Sequence, residues 1–133
     1  MIVYALDSNT VSYFLRKNEK VTKKVWNAVP EGNQIIIPNI VYYEVKRGLL
    51  SITAPRKTAT FNQLCKSYSV GTIDKETAEI AATIYSKLRK KGRLIEDADL
   101  FIAAFCLQNG CTLVTNNGDH FKNVDGLQID NWV

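Results

Sequence analysis

The sequence predicts an α/β fold in which a mainly parallel central sheet is covered by helices. Short apolar runs of strand length, Ile2–Leu6, Gln34–Ile37 and Thr112–Thr115, recur along the chain. Segments with helical periodicity separate them, which makes successive βα units. The runs carry few polar positions, as strands of a helix-covered parallel sheet do.

Taken in order, the first strand spans Ile2–Leu6, and Asp7-Ser8-Asn9 then supplies turn and helix N-cap chemistry. Helical patterns follow over Thr10–Arg16 and Lys20–Ala28, and Pro30-Glu31-Gly32-Asn33 forms a turn. Pro38 stops the second strand, Gln34–Ile37, and Asn39 caps a helix running to about Leu50. A helix over Thr58–Tyr68 leads into a short strand, Ser69–Ile73. Asp74 caps a long helix ended at Lys91 by Gly92, and a further helix spans Asp97–Gln108 with Gly110 as its stop. Thr112–Thr115 is a buried strand and Leu127–Ile129 a short last one. No repeat or linker interrupts this order, so the 133 residues are expected to form one domain, residues 1–133, with a real core.

Composition narrows the function. With 46% hydrophobic and 23% charged residues the chain reads as an ordinary soluble globular protein. No run approaches the roughly 20 apolar residues of a membrane span, and Met1-Ile2-Val3-Tyr4 has neither basic leader nor cleavage site, so a cytoplasmic protein without a signal peptide is expected. Cys65, Cys106 and Cys111 match no zinc spacing and read as reduced thiols. His120 is the only histidine, which excludes His-rich metal sites and disfavours a Ser-His-Asp triad. A net charge of +4 tilts mildly toward a polyanionic partner.

Against that background four carboxylates stand out. Asp7 closes the first apolar run, Glu44 lies inside Ile40-Val41-Tyr42-Tyr43-Glu44-Val45, Asp99 opens Leu100–Phe105, and Asp119 follows the fourth strand after Asn116-Asn117-Gly118. Glu44 is i+4 from Ile40 and i+3 from Val41, and Asp99 precedes Ile102 and Ala103 by three and four, so both share apolar faces. Burying a lone ionised carboxylate is strongly unfavourable. A divalent cation would neutralise several at once, which points to metal-dependent phosphodiester cleavage. Strand ends gather ligands in such sheets, and Asp7 and the Asn116–Asp119 loop both follow strands. Each acid also has an ordinary structural reading: Asp7 as an N-cap, Glu44 as a flank residue paired with Lys46 or Arg47, Asp99 as a first-turn acid, Asp119 as a loop residue. Among the neighbouring acids, Asp99 has the best phase with the apolar stripe, Asp97 is placed as the N-cap and Glu96 as solvated. Ser8, Asn9, Thr115, Asn116 and Asn117 add neutral hydrogen-bonding groups on the same rim. The basic stretch carrying Arg89, Lys90, Lys91 and Arg93, with Lys46 and Arg47, is either a solvated face or a phosphate-contacting ridge. Tyr13, Phe14, Tyr42 and Tyr43 are core aromatics or base-stacking platforms.

At these residues the chain resembles the PIN-domain family, specifically the VapC-type toxin ribonucleases of type II toxin–antitoxin systems. The resemblance rests on Leu6-Asp7-Ser8-Asn9, Val41-Tyr42-Tyr43-Glu44-Val45, Asp99-Leu100-Phe101-Ile102-Ala103-Ala104, Thr112-Leu113-Val114-Thr115-Asn116-Asn117 and the tail Gly126–Trp132, in order along the whole chain. It implies a three-layer α/β/α fold that binds one or two Mg²⁺ or Mn²⁺ ions and cuts single-stranded or loop RNA, either tRNA or mRNA, to block translation. It places the family's first, second and third acids on Asp7, Glu44 and Asp99, with Asp7 and Asp99 as principal metal ligands. Ser8 stands where threonine is more usual. Asn117 holds the position that often carries the fourth acid, so Asp119 either substitutes or leaves a weaker second metal site. A homodimer and a small antitoxin whose tail enters the active-site groove are implied as well.

Two competing readings remain. A receiver-like phospho-accepting domain needs a strand ending in lysine, and no apolar strand here does. A non-catalytic RNA-binding or scaffold module of the same fold is compatible with Asn117.

Overall fold

The computed structural model describes residues 1–133. Its strands are β1 (Val3–Leu6), β2 (Gln34–Pro38), β3 (Ser69–Gly71), β4 (Thr112–Val114) and β5 (Gln128–Asp130). Its helices are α1 (Ser8–Leu15), α2 (Glu19–Ala28), α3 (Asn39–Leu50), α4 (Pro55–Ser67), α5 (Lys75–Lys91), α6 (Asp97–Asn109) and α7 (Gly118–Phe121). The strands form one sheet in the order β3-β2-β1-β4-β5, and every pairing is parallel. The chain therefore builds outward from β1 to one edge and then crosses back to build the other. Successive strand residues face opposite sides of a sheet. Ala5 and Leu6 of β1, and Leu113 and Val114 of β4, are consecutive and wholly buried, so both faces are covered by helices. The result is the three-layer α/β/α arrangement expected.

Several boundaries differ from the sequence reading, each for a local reason. Asp7 caps α1 directly, so that helix starts at Ser8 rather than Thr10. Pro38, not Asn39, is the N-cap of α3; Asn39 is the first helical residue, and its Oδ1 instead accepts from the Ile73 amide at 3.4 Å. Pro55 starts α4 three residues early, because its fixed φ suits the first helical position. Glu96, not Asp97, holds the N-cap position of α6, and its side chain makes no capping bond. The one-turn helix α7 was not expected at all.

The largest correction concerns α6. Ile102 through Cys106 are all buried, so this helix has no single apolar stripe and is enclosed nearly all round. Asp99 is set apart by its place in the first turn, not by phase with a stripe. Phe105 of this helix reaches β3, where Gly71 leaves room for its ring: a Cβ at Gly71 would lie 2.4 Å from Phe105 and 2.8 Å from Ile36.

Gly71→Ala should therefore destabilise the fold by about 1–3 kcal/mol through overpacking. Gly48→Ala, in the interior of α3 with nothing within 4 Å of the added methyl, should stabilise it by about 0.5–1 kcal/mol. Urea midpoints of the two variants should move in opposite directions, and a shared direction would contradict this packing.

Candidate active site

The central strands end side by side, and their junction is hydrogen-bonded. The Asp7 amide donates to the Val114 carbonyl at 3.2 Å, and Thr10 Oγ1 donates to the same oxygen at 3.0 Å. Asp7 Oδ1 accepts from the Thr10 amide at 2.7 Å, so the capping role and the rim position belong to one side chain. Asp7 is only 6% exposed. On the β4 side the Thr115 amide donates to Asp130 O at 2.9 Å and Thr115 Oγ1 accepts from the Asn117 amide at 3.0 Å. This junction lies where the strand order reverses, which is where open α/β sheets form ligand crevices.

Glu44, on the second turn of α3, and Asp99, in the first turn of α6, complete an acidic group with Asp7. Burial pushes the Glu44 carboxyl above its usual range, and the nearby charges of Asp99 and Asp7 add to that; Arg47 and the Ser8 hydroxyl partly offset it. Burial likewise raises Asp99, opposed by its contact with His120 and reinforced by Glu96 and Asp7. Glu44 Oε1 is buried without a hydrogen-bond partner. Neither Lys46 nor Arg47 forms an ion pair with it, since the pairs present are Lys91–Asp125, Asp99–His120 and Lys122–Asp119.

The fourth acid does not join the group. In α7, Phe121 is buried, His120 turns toward α6, and the Asp119 side chain is left 97% exposed, 4.0 Å from Lys122. His120 Nε2 lies 2.7 Å from Asp99 Oδ2. Sequence reasoning missed this contact: a histidine 21 positions from its partner carries no local periodic signal, and only its uniqueness in the chain marked it. Ser8 is half-buried beside Glu44, whereas Asn9, Asn116 and Asn117 are exposed, Asn116 donating to the Tyr13 hydroxyl at 3.3 Å. Arg47, Arg89, Lys90, Lys91 and Arg93 are exposed and Lys46 half-buried; Lys91 faces Asp125 at 3.5 Å.

The sequence profile of the PIN domain matches residues 4–127. The chain belongs to the PIN-domain family. Similar proteins include ribonuclease VapC2 of Rickettsia felis, 27% identical with 98% of each chain covered, and the tRNA(fMet)-specific endonuclease VapC of Salmonella typhimurium, 25% identical over 99% of each. The VapBC2 complex of Rickettsia felis bound to a promoter DNA fragment contains a chain of the same fold, with a TM-score of 0.89 at 23% identity over 99% of this chain and 100% of that one. DNA-bound VapBC of Salmonella typhimurium gives a TM-score of 0.87 at 26% identity, with both chains fully covered.

The acids of this PIN domain suit a hard divalent cation. All three present oxygen donors, one of them an orphaned buried oxygen, and they repel one another in a half-buried site. No three acidic, histidine or cysteine side chains already stand at the separation of ligands to a single ion.

Their repulsion has a thermodynamic consequence. A carboxyl whose folded pKa is raised binds protons more readily in the native state, so its ionisation costs stability above that pKa and the cost fades as pH falls. Glu44→Gln should raise stability at pH 7.5 by about 1 kcal/mol, about 3 °C in Tm. The gap from the unmodified protein should close toward pH 4. Thermal melts across that range check both, and a Gln variant less stable at pH 7.5 would contradict the assignment.

Proposed function

We propose that this PIN domain is a Mg²⁺- or Mn²⁺-dependent endoribonuclease, the toxin of a toxin–antitoxin pair. The observation that carries the proposal is the buried, unpartnered Oε1 of Glu44, grouped with Asp7 and Asp99 where the strand order reverses. Whole-length similarity to proteins named VapC ribonuclease and tRNA(fMet)-specific endonuclease supports RNA, either tRNA or mRNA, as substrate. Fold similarity to toxin–antitoxin complexes supports a small antitoxin partner. A homodimer acting in the cytoplasm is part of the same proposal; no helix is long and apolar enough to cross a membrane.

Asp7 and Asp99, with Glu44 directly or through water, would hold the ion, one or two in number. When bound, it would supply Lewis-acid polarisation of the scissile phosphate and lower the pKa of a water so that hydroxide is available as nucleophile. Asp7 is held rigidly by Thr10 and the β4 junction, which gives the site one invariant wall. His120 orients Asp99 Oδ2. Glu44 Oε1, a free acceptor with a raised pKa, is suited to take the proton of the attacking water. Attack by water rather than by the ribose 2′-hydroxyl leaves a 5′-phosphate and a 3′-hydroxyl.

A non-catalytic RNA-binding module is the second reading, favoured by the lack of a preassembled ligand trio and by the outward Asp119.

Incubated with total cellular RNA, the protein should make discrete cuts with Mg²⁺ or Mn²⁺. These should be lost with chelator and fall at least a hundredfold in Asp99→Asn. Sequencing of fragment ends should find 5′-phosphates; a 2′,3′-cyclic phosphate would exclude the mechanism, and metal-independent binding without cleavage would favour the module. Asp119→Asn should keep activity within about twofold, because its carboxylate faces solvent. A loss as large as that of Asp99→Asn would return Asp119 to the site.

A further inference from the structure

The place beside Asp99 that a fourth acid would fill is held by an imidazole. The helix α7 has only four residues, and the buried Phe121 fixes how it sits. That anchoring leaves Asp119 in solvent and turns His120 toward α6, where Nε2 stands 2.7 Å from Asp99 Oδ2. The ring also packs edge-on against Phe121, with centroids 5.5 Å apart and planes at 86°. Two contacts therefore fix an aromatic nitrogen beside a half-buried carboxylate that Glu96 and Asp7 repel.

A simple tie between α6 and α7 would explain the pair, but three features go beyond one. The side chains of His120 and Asp99 stay 31% and 27% exposed, so an ion from solvent can reach both. Their donor atoms stand near the spacing of neighbouring ligands on an octahedral ion, since bonds of about 2.1 Å at right angles set donors about 3 Å apart. Asp99 is also within electrostatic reach of Glu44 and Asp7, so the imidazole adjoins the whole acidic group. An imidazole offers its lone pair at Nε2 when the proton sits on Nδ1, and a bound ion selects that tautomer.

We infer that His120 is a metal ligand of this site, giving it a mixed oxygen–nitrogen donor set that favours Mn²⁺ and Co²⁺ over Mg²⁺. The inference rests on the metal-dependent reading of the acids and adds a donor type that Asp7, Glu44 and Asp99 do not supply. Mg²⁺ is a hard ion that keeps to oxygen donors and gives up water reluctantly, whereas affinity for nitrogen rises from Mn²⁺ toward Co²⁺. The chain cannot build a His-rich site, yet one nitrogen among three carboxylates is enough to change which ion is preferred.

His120 is the only histidine, so in a tag-free preparation of the full chain any imidazole nitrogen coupled to a bound ion belongs to it. Mn²⁺ binding is followed by electron paramagnetic resonance at one fixed pH, echo modulation is recorded on the loaded protein, and Mg²⁺ and Co²⁺ affinities are measured by competition. Imidazole-nitrogen modulation should be present in the unsubstituted chain and absent in His120→Asn, whose amide can still donate to Asp99. The Mn²⁺ and Co²⁺ affinities relative to Mg²⁺ should fall about tenfold or more in that variant. Asp119→Asn should keep the modulation. Bound Mn²⁺ without imidazole modulation overturns the inference. So does a His120→Asn that weakens all three ions alike, which is what positioning of Asp99 alone would produce. The modulation is read on the unsubstituted chain, so it decides the matter even where His120→Asn fails to fold. RNA cleavage is scored separately. Cutting by a chain whose Mn²⁺ shows no imidazole coupling keeps the nuclease and removes His120 from the ligands. Coupling in a chain that cuts no RNA keeps the ligand and overturns the nuclease. A folded chain that binds none of the three ions overturns both.

Discussion

The shared carbonyl of Val114 is the constraint on which the site depends. It accepts from the Asp7 amide and from Thr10 Oγ1, while the Asp7 carboxylate caps the same turn that carries Thr10. One small set of bonds thereby joins the ends of the two central strands, begins α1 and holds the first acid almost out of water. Buried hydrogen bonds of this kind contribute about 1 kcal/mol each, but leaving one partner unsatisfied costs more. Their larger effect is geometric. The junction lies where the strand order reverses, which is where open α/β sheets form ligand crevices, so the other functional groups are placed relative to it.

The acids around the junction are held in electrostatic tension. Glu44 and Asp99 are both raised by burial and by each other, and Glu44 keeps an oxygen with no partner. A fold selected only for stability would replace such groups with apolar ones, since buried charge without compensation is costly. The tension is relieved by a cation, by a proton or by a hydrogen-bond donor. His120 provides part of that relief for Asp99, and Arg47 and the Ser8 hydroxyl part of it for Glu44, whose Oε1 is nevertheless buried without a hydrogen-bond partner.

Charge is divided between two adjacent regions. The acidic group lies beside a cleft lined by the cations Arg16, Arg47 and Lys57. The mild net charge of +4 conceals this division, because function depends on where the charges converge rather than on their sum.

The parallel sheet, the order of its elements and the positions of Asp7, Glu44 and Asp99 were legible in the sequence, because apolar run length, turn residues and capping chemistry are local properties. The same locality explains the errors. The sequence pattern suggests an apolar stripe at Asp99 that α6 does not have, and the strand-following position of Asp119 does not reveal that its side chain is 97% exposed. Which face of a one-turn helix is buried is set by Phe121 inserting into the core, and no pattern four residues long encodes that. The contact of His120 with Asp99, the Gly71–Phe105 approach and the meeting of Arg16, Arg47 and Lys57 join residues far apart in the chain. Sequence alone determined the five strands and six of the seven helices, and placed Asp7 and Asp99 at the starts of helices. Tertiary structure decided which side chains face one another, because packing several elements against a shared core sets their orientation only once all are in place.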